Sequence, residues 1–306
     1  MREQAFGLAD RRYDVPNTPA TRFGLASGTK GFTALTVMSM IERGELGLRQ
    51  PVRAVLEDDL PAIDDRVTVE QLLAHRSGIG DYLDESEVHD ISDHLMPVPV
   101  HELSNAERYL PALAGHAQVF EPGERFAYNN SGYVVLALVA QRVSGVAFED
   151  LVVERACRPA GLTATGFLRS DELAGDVANG YLALDGARTN VFHLPVLGCG
   201  DGGIYSSAAD LHRFWTALFG GRIVADETVT AMTTPRPDSG SATTQYGLGF
   251  WLARSGRLVM LEGYDAGVSF RSVHEPSTEM THTVLSNTSD GAWSVTKALD
   301  TALDLD

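Results

Sequence analysis

The chain has 306 residues, of which 44% are hydrophobic and 21% charged, and its formal net charge at pH 7 is −17. A length of this order supports one or two domains with a sizeable core, and the composition is that of an ordinary globular protein. The acidic excess argues against nucleic acid or an anionic membrane surface as a partner.

In chain order, residues 5–10 read as a short strand, followed by a turn-rich stretch around Pro16 and Pro19. A helix comes next, with Phe32, Leu35, Val37/Met38 and Ile41 at helical spacing and Gly44 as its stop. From about residue 49 to residue 195 the pattern is helical with long loops. Thr68-Val69-Glu70-Gln71 is a capping box that opens a helix through Leu72, Leu73 and His75. Residues 131–144 read as a helix closed by Gly145, and 147–157 as another. Ser207 caps a helix that runs to Phe219 and stops at Gly220-Gly221. The character then changes to strands at 246–253, 257–263, 269–274 and 281–286, with turns at Ser255-Gly256 and Pro276-Ser277. A helix over 292–303 closes the chain. The fold class expected is α+β: an antiparallel sheet flanked by terminal helices, plus a helical insertion. Residues 1–48 and 196–306 should form the sheet domain and 49–195 the helical domain, with the active site between them.

The chain has two lysines, and each follows a serine by three residues: Ser27-Gly28-Thr29-Lys30 and Ser294-Val295-Thr296-Lys297. On a helix such residues share a face, about 5–6 Å apart at Cβ. A serine hydroxyl is a poor nucleophile until a neighbouring base takes its proton, and a buried lysine can be that base. A helix start also offers free N–H groups to a developing oxyanion. The long apolar helix after Lys30 should bury it and depress its pKa, whereas Lys297, in an acidic C-terminal helix with Asp300, Asp304 and Asp306, reads as solvated. The functional pair is therefore Ser27 and Lys30. A second constellation is Tyr128-Asn129-Asn130, where a loop before a helix can place a phenol and an amide in a cleft. Alone it is a weak signal, equally read as a packed tyrosine and a helix cap.

Other motifs read as structural. Gly198-Cys199-Gly200-Asp201-Gly202-Gly203 contains G-x-G-x-x-G but lacks the βαβ context of a dinucleotide site, so glycines at a cleft wall explain it better. His89-Asp90 and Asp93-His94 read as a solvated loop rather than a metal site. His75, at a helix end, is tempting as a catalytic histidine, and only the family likeness given below makes it structural. Cys157 and Cys199 lack metal or redox spacing and read as free buried thiols in a reducing compartment. No G-x-S-x-G elbow is present. Asn129-Asn130-Ser131 is formally a glycosylation sequon, overridden by its place in the expected site. No apolar run reaches the ~18 residues of a membrane span and no signal peptide opens the chain, so a cytoplasmic location is expected.

Taken in order, Ser27–Lys30, the stretch Leu72-Leu73-Ala74-His75-Arg76-Ser77-Gly78, Glu121-Pro122-Gly123 through Asn130, Pro159-Ala160-Gly161-Leu162, Gly202 through Leu211 and Tyr246-Gly247-Leu248-Gly249 resemble the serine β-lactamase/penicillin-binding superfamily. They are most similar to its class C-related branch of esterases, D-amino-acid peptidases and β-lactamases. The resemblance covers nearly the whole chain. It implies that Ser27 is acylated, that Lys30 and Tyr128 share base and acid duties, and that Asn130 orients Lys30 and the substrate amide. It also implies an oxyanion hole made of the Ser27 N–H and an N–H from the strand near 257–264. With Gly263 aligned as the triplet glycine, Tyr264 supplies that donor.

The same strand departs from the pattern. Where the family has Lys-Thr-Gly or His-x-Gly, this chain has Leu261-Glu262-Gly263. A backbone donor survives any side chain, but the lost cation and the added Glu262 disfavour carboxylate-bearing substrates. The expected activity is a serine acyl hydrolase on a small ester, amide or lactam, without metal or cofactor. The alternatives are a slow-turnover penicillin-binding or ligand-sensing protein and an acyl transferase. A further departure is at the start, where the helix and strand that usually precede residues 5–10 are missing, so that either the start is late or the sheet is one strand short.

Overall fold

The computed structural model describes residues 1–84 and 90–303. Strand β1 (Leu8–Asp10) turns back on β2 (Val15–Pro16), and β3 (Phe23–Gly24) leads through a short 3-10 turn over Ala26–Gly28 into helix α1 (Thr29–Glu42). Short helices α2 (Arg53–Leu56), α3 (Val69–Leu73) and α4 (Leu110–Leu113) punctuate the long loops of the middle region. They are followed by α5 (Asn130–Ser144), α6 (Phe148–Val152) and α7 (Arg158–Ala160). Strands β4 (Gly166–Phe167) and β5 (Ile204–Ser206) precede α8 (Ala208–Phe219) and α9 (Asp226–Met232). Then come β6 (Thr244–Tyr246), β7 (Trp251–Ala253), β8 (Val259–Asp265), β9 (Val268–Glu275) and β10 (Met280–Ser286), and α10 (Trp293–Ala302) closes the described chain.

The last five strands form one antiparallel sheet in the order β10-β9-β8-β7-β6, and β3-β5-β4 form a second, three-stranded one. Alternation along β8 and β9 gives the large sheet two distinct faces. Leu261, Ser272 and Phe270 point toward α1 and α8, where the Trp215 indole donates to Ser272 Oγ at 2.8 Å. Arg271 points the other way and donates to Asp300 of α10 at 3.1 Å. The sheet is thus the middle layer between α1/α8 and α10. One buried apolar cluster runs from Leu25 to Phe270 and includes α1, α5 and α8, and a smaller one gathers Leu258, Met260 and Val273.

Three local expectations change. The strand expected over 246–253 is two strands, because Gly249 takes a φ of +88° and Gly247 N–H closes a tight turn on Phe250 O at 2.9 Å. The helix expected over 147–157 passes through a π-helical turn at Val153–Cys157 before α7. The N-terminal strand pairs with β2 and does not join the large sheet. As expected of a long apolar helix, α1 buries Lys30, and it is buried on nearly all sides from Thr29 to Met40. Its polar residues survive burial by local bonding, Thr36 Oγ1 to Phe32 O at 2.9 Å and Thr33 Oγ1 to Gly200 O at 2.6 Å. The capping box at Thr68 and Gln71 forms as expected. So does the left-handed Gly145 after α5.

Candidate active site

Ser27 lies in the turn before α1, held from three sides. Leu25 N–H donates to Ile204 O at 2.9 Å, Thr29 Oγ1 donates to Ala26 O at 2.7 Å, and Ile204 N–H donates to Thr29 Oγ1 at 3.1 Å. Ala26, the residue before the serine, has φ +44°, a left-handed conformation that costs a non-glycine residue about 1 kcal/mol. The strain sits where the chain must swing Ser27 into the open.

One turn on, Lys30 is 2% exposed. Its Nζ donates to Ser27 Oγ at 2.9 Å, Asn130 Oδ1 at 2.8 Å and the Asp201 carbonyl at 2.9 Å. The Asn130 amide is itself fixed, since its Nδ2 donates to Leu83 O at 2.9 Å. Nζ also lies 4.9 Å from the centroid of the Tyr128 ring. That ring packs on His75, with centroids 4.3 Å apart, and stacks with Trp251 at 5.9 Å. His75 is buried and accepts the Asn129 N–H on Nδ1 at 3.0 Å. Burial, with the Lys30 charge nearby, pushes its pKa well below the usual histidine range, so it is a neutral packing element. The second S-x-x-K pair is separate from all this: Ser294 and Lys297 are exposed on α10.

Strand β8 forms the facing wall. A side chain at Gly263 would run into the Leu25 carbonyl, so only glycine lets the strand pass this close to the Ser27 turn. Leu261 is 2% exposed and packs its methyl groups over Gly31 of α1. Glu262 lines the cleft mouth beside Gly263 and Tyr264. Although 45% of its side chain reaches solvent, surrounding protein raises its pKa, with Arg271 at 3.5 Å working the other way.

Two cavities meet at Ser27. One is lined by Tyr128, Trp251, Glu262, Gly263, Asp81 and Asp84, and the other by Asn130, Tyr82, Asp201, Gly202, His193 and Tyr264. Thus Ser27, Lys30, Tyr128, Asn130, Glu262, Gly263 and Tyr264 are all brought to one place. Sequence reasoning missed Asp201, Tyr82 and Asp81. The Asp201 carboxyl accepts the Tyr82 hydroxyl. Burial raises its pKa, and the Lys30 charge opposes that rise. Asp81 caps α5 by accepting Asn130 N–H at 2.7 Å and Ser131 N–H at 2.9 Å. The glycine stretch around Asp201 is a cleft wall, closed by Cys199 N–H on Gly202 O at 2.9 Å. Among the described residues, no three His, Cys, Asp or Glu side chains gather to hold a metal ion, and no single helix is long and apolar enough to cross a membrane. His89 of the histidine–aspartate pairs lies outside the described residues. Cys157 and Cys199 are free and buried.

A serine and a buried lysine coupled this way at a helix start form the S-x-x-K type of nucleophile–base pair found in penicillin-binding proteins and β-lactamases. The Beta-lactamase family profile matches residues 1–306, and the chain belongs to that family. It is 31% identical over 252 residues to the putative penicillin-binding protein PbpX of Bacillus subtilis (strain 168), covering 82% of this chain and 58% of PbpX. The chain therefore spans little more than half the length of that relative. The penicillin binding protein from Bacillus halodurans superposes with a TM-score of 0.92 at 34% identity, covering 98% of this chain and 92% of that one. A D-amino acid amidase from Ochrobactrum anthropi SV3 superposes with a TM-score of 0.74 at 26% identity, covering 92% and 81%.

Proposed function

We propose that the protein is a serine acyl hydrolase acting through an acyl-enzyme on Ser27. The observation that carries this reading is the position of Lys30 Nζ, bonded at once to Ser27 Oγ, Asn130 Oδ1 and the Asp201 carbonyl. Acting as the base, Lys30 Nζ takes the Ser27 proton along the existing 2.9 Å line as Oγ attacks the substrate carbonyl. The Oγ–acyl bond forms, the bond to the leaving group breaks, and the proton passes to the leaving alcohol or amine, with Tyr128 sharing the transfer. Water then cleaves the ester on Ser27. The N–H groups of Ser27 and Tyr264 serve as oxyanion donors, and Asn130 orients both Lys30 and a substrate amide. The cleft lies between residues 1–48 with 196–306 and residues 49–195.

The lobe beside Tyr128 favours substrates without a carboxylate. Leu261 replaces the family cation with packing against α1, and Asp81, Asp84 and Glu262 outnumber Arg125 in the lobe beside Tyr128. Esters and amides fit better than penicillins. The similarity to proteins named penicillin-binding supports a second reading, slow acylation by a lactam without turnover.

The test is intact-protein mass after exposure to a fluorophosphonate, for wild type, Ser27→Ala and Lys30→Ala. A single adduct on wild type, absent from both variants, is expected. No adduct on folded wild type refutes the hydrolase reading, and a stable stoichiometric penicillin adduct would then favour the second.

A further inference from the structure

We propose that the cavity beside Ser27 and Asn130 receives an acyl group bearing a protonated amine, and that Asp201, steadied by Tyr82, is the carboxylate that binds it. The cavity is built for such a group. Apart from tyrosines, the ionisable side chains among its described lining residues are Asp201, Asp265, His94 and His193, with no lysine or arginine. Asp201 is 8% exposed and lines the same cavity as the Ser27 nucleophile. A buried carboxylate is costly unless paired, and a phenol hydroxyl is a neutral partner. Lys30 Nζ is engaged by three oxygens, and what it takes from Asp201 is the backbone carbonyl. The carboxyl therefore keeps capacity to accept a charge-assisted hydrogen bond from a ligand. The Tyr82 backbone N–H donates to Ser131 Oγ at 3.0 Å, which ties the tyrosine to the start of α5 and fixes the carboxyl it holds. An acyl group with a carboxylate of its own meets two aspartates in this lobe and neither a lysine nor an arginine among its described lining residues.

The inference rests on Ser27 being the acylated residue, which the fluorophosphonate adduct tests separately. The experiment compares methyl esters of D- and L-phenylalanine with their N-acetyl derivatives at pH 7, on wild type and Asp201→Asn. A charge-assisted hydrogen bond predicts a free-amine preference in kcat/KM of about 10- to 100-fold for wild type. In Asp201→Asn that ratio is expected to fall to within about threefold of unity. A labelled wild type that treats free and acetylated esters alike overturns the proposal. So does a preference that survives in Asp201→Asn. Loss of activity on both esters in equal proportion overturns it too, because it assigns Asp201 to Lys30 instead. Should Asp201→Asn not fold, competitive inhibition of wild type by 2-phenylethylamine and by 2-phenylethanol decides. The amine is expected to bind at least about tenfold more tightly, and equal inhibition overturns the proposal.

Discussion

His75 and Tyr128 lie ring against ring, with centroids 4.3 Å apart and planes inclined by 33°. The histidine is thereby a spacer for the phenol and a partner for the backbone at Asn129, two residues from neither of which it takes a charge. Replacing it with alanine leaves a cavity against Tyr128 and an unpaired Asn129 N–H. The expected loss of unfolding free energy in urea is about 3 kcal/mol, with slower fluorophosphonate labelling of Ser27. An unchanged urea midpoint would remove the packing role.

Buried neutral histidines also set a pH dependence. His274 is 3% exposed, stacks on Trp215, and is held by burial at a pKa of about 4. Its unfolded form takes up a proton below pH ~6.5, whereas its folded form does not until about pH 4. The unfolded state therefore binds more protons inside that window, and stability is lost as pH falls through it. One such group contributes a slope of up to about 1.4 kcal/mol per pH unit. His274→Gln should flatten the stability curve of the protein between pH 6.5 and 4.5 relative to wild type. Parallel curves from urea titrations across that range would contradict the assignment.

The left-handed φ of Ala26 gives a paired prediction. Ala26→Gly relieves about 1 kcal/mol of strain and adds a similar amount of unfolded-state entropy, so its stability should stay within about 1 kcal/mol of wild type. Ala26→Val adds a β-branched side chain to a buried, left-handed position. It is expected to lower stability by about 2 kcal/mol and Ser27 labelling by at least about tenfold. Thermal melts and labelling rates check both, and a fully reactive Ala26→Val protein would show that the turn geometry is unimportant.

Glu262 at the cleft mouth should repel anionic substrates. Glu262→Gln is expected to raise the rate of acylation by a fluorescent penicillin, relative to a neutral ester, by about two- to fivefold at low ionic strength. The gain should shrink in 0.5 M salt. A ratio that does not move, or moves equally at both salt concentrations, argues that the carboxylate is turned away from bound substrate.

The local parts of this architecture were readable in the sequence because they are written in neighbouring residues. Ser27 and Lys30 share a helix turn, Thr68 and Gln71 share a capping box, and the strands of the large sheet follow one another through short turns. What escaped was brought together by long-range folding. Asp201 reaches Lys30 across 171 positions and Tyr82 across 119, and it sat inside a glycine-rich stretch whose spacing suggested a different use. The 246–253 stretch misled because its aromatic and aliphatic residues suit a strand, while a single left-handed glycine, Gly249, decided the turn.

Of the two lysines, Lys30 is sealed beneath the nucleophile while Lys297 is exposed on α10, across the sheet from α1. Among the described residues, amine-directed chemistry on the folded protein therefore meets one accessible lysine. A dye, a biotin or a sensor surface coupled through Lys297 is held at a known point on the far face, leaving the mouth of the cleft turned toward solution. The same scarcity makes modification of Lys30 a report on access to the floor of the cleft beside Ser27.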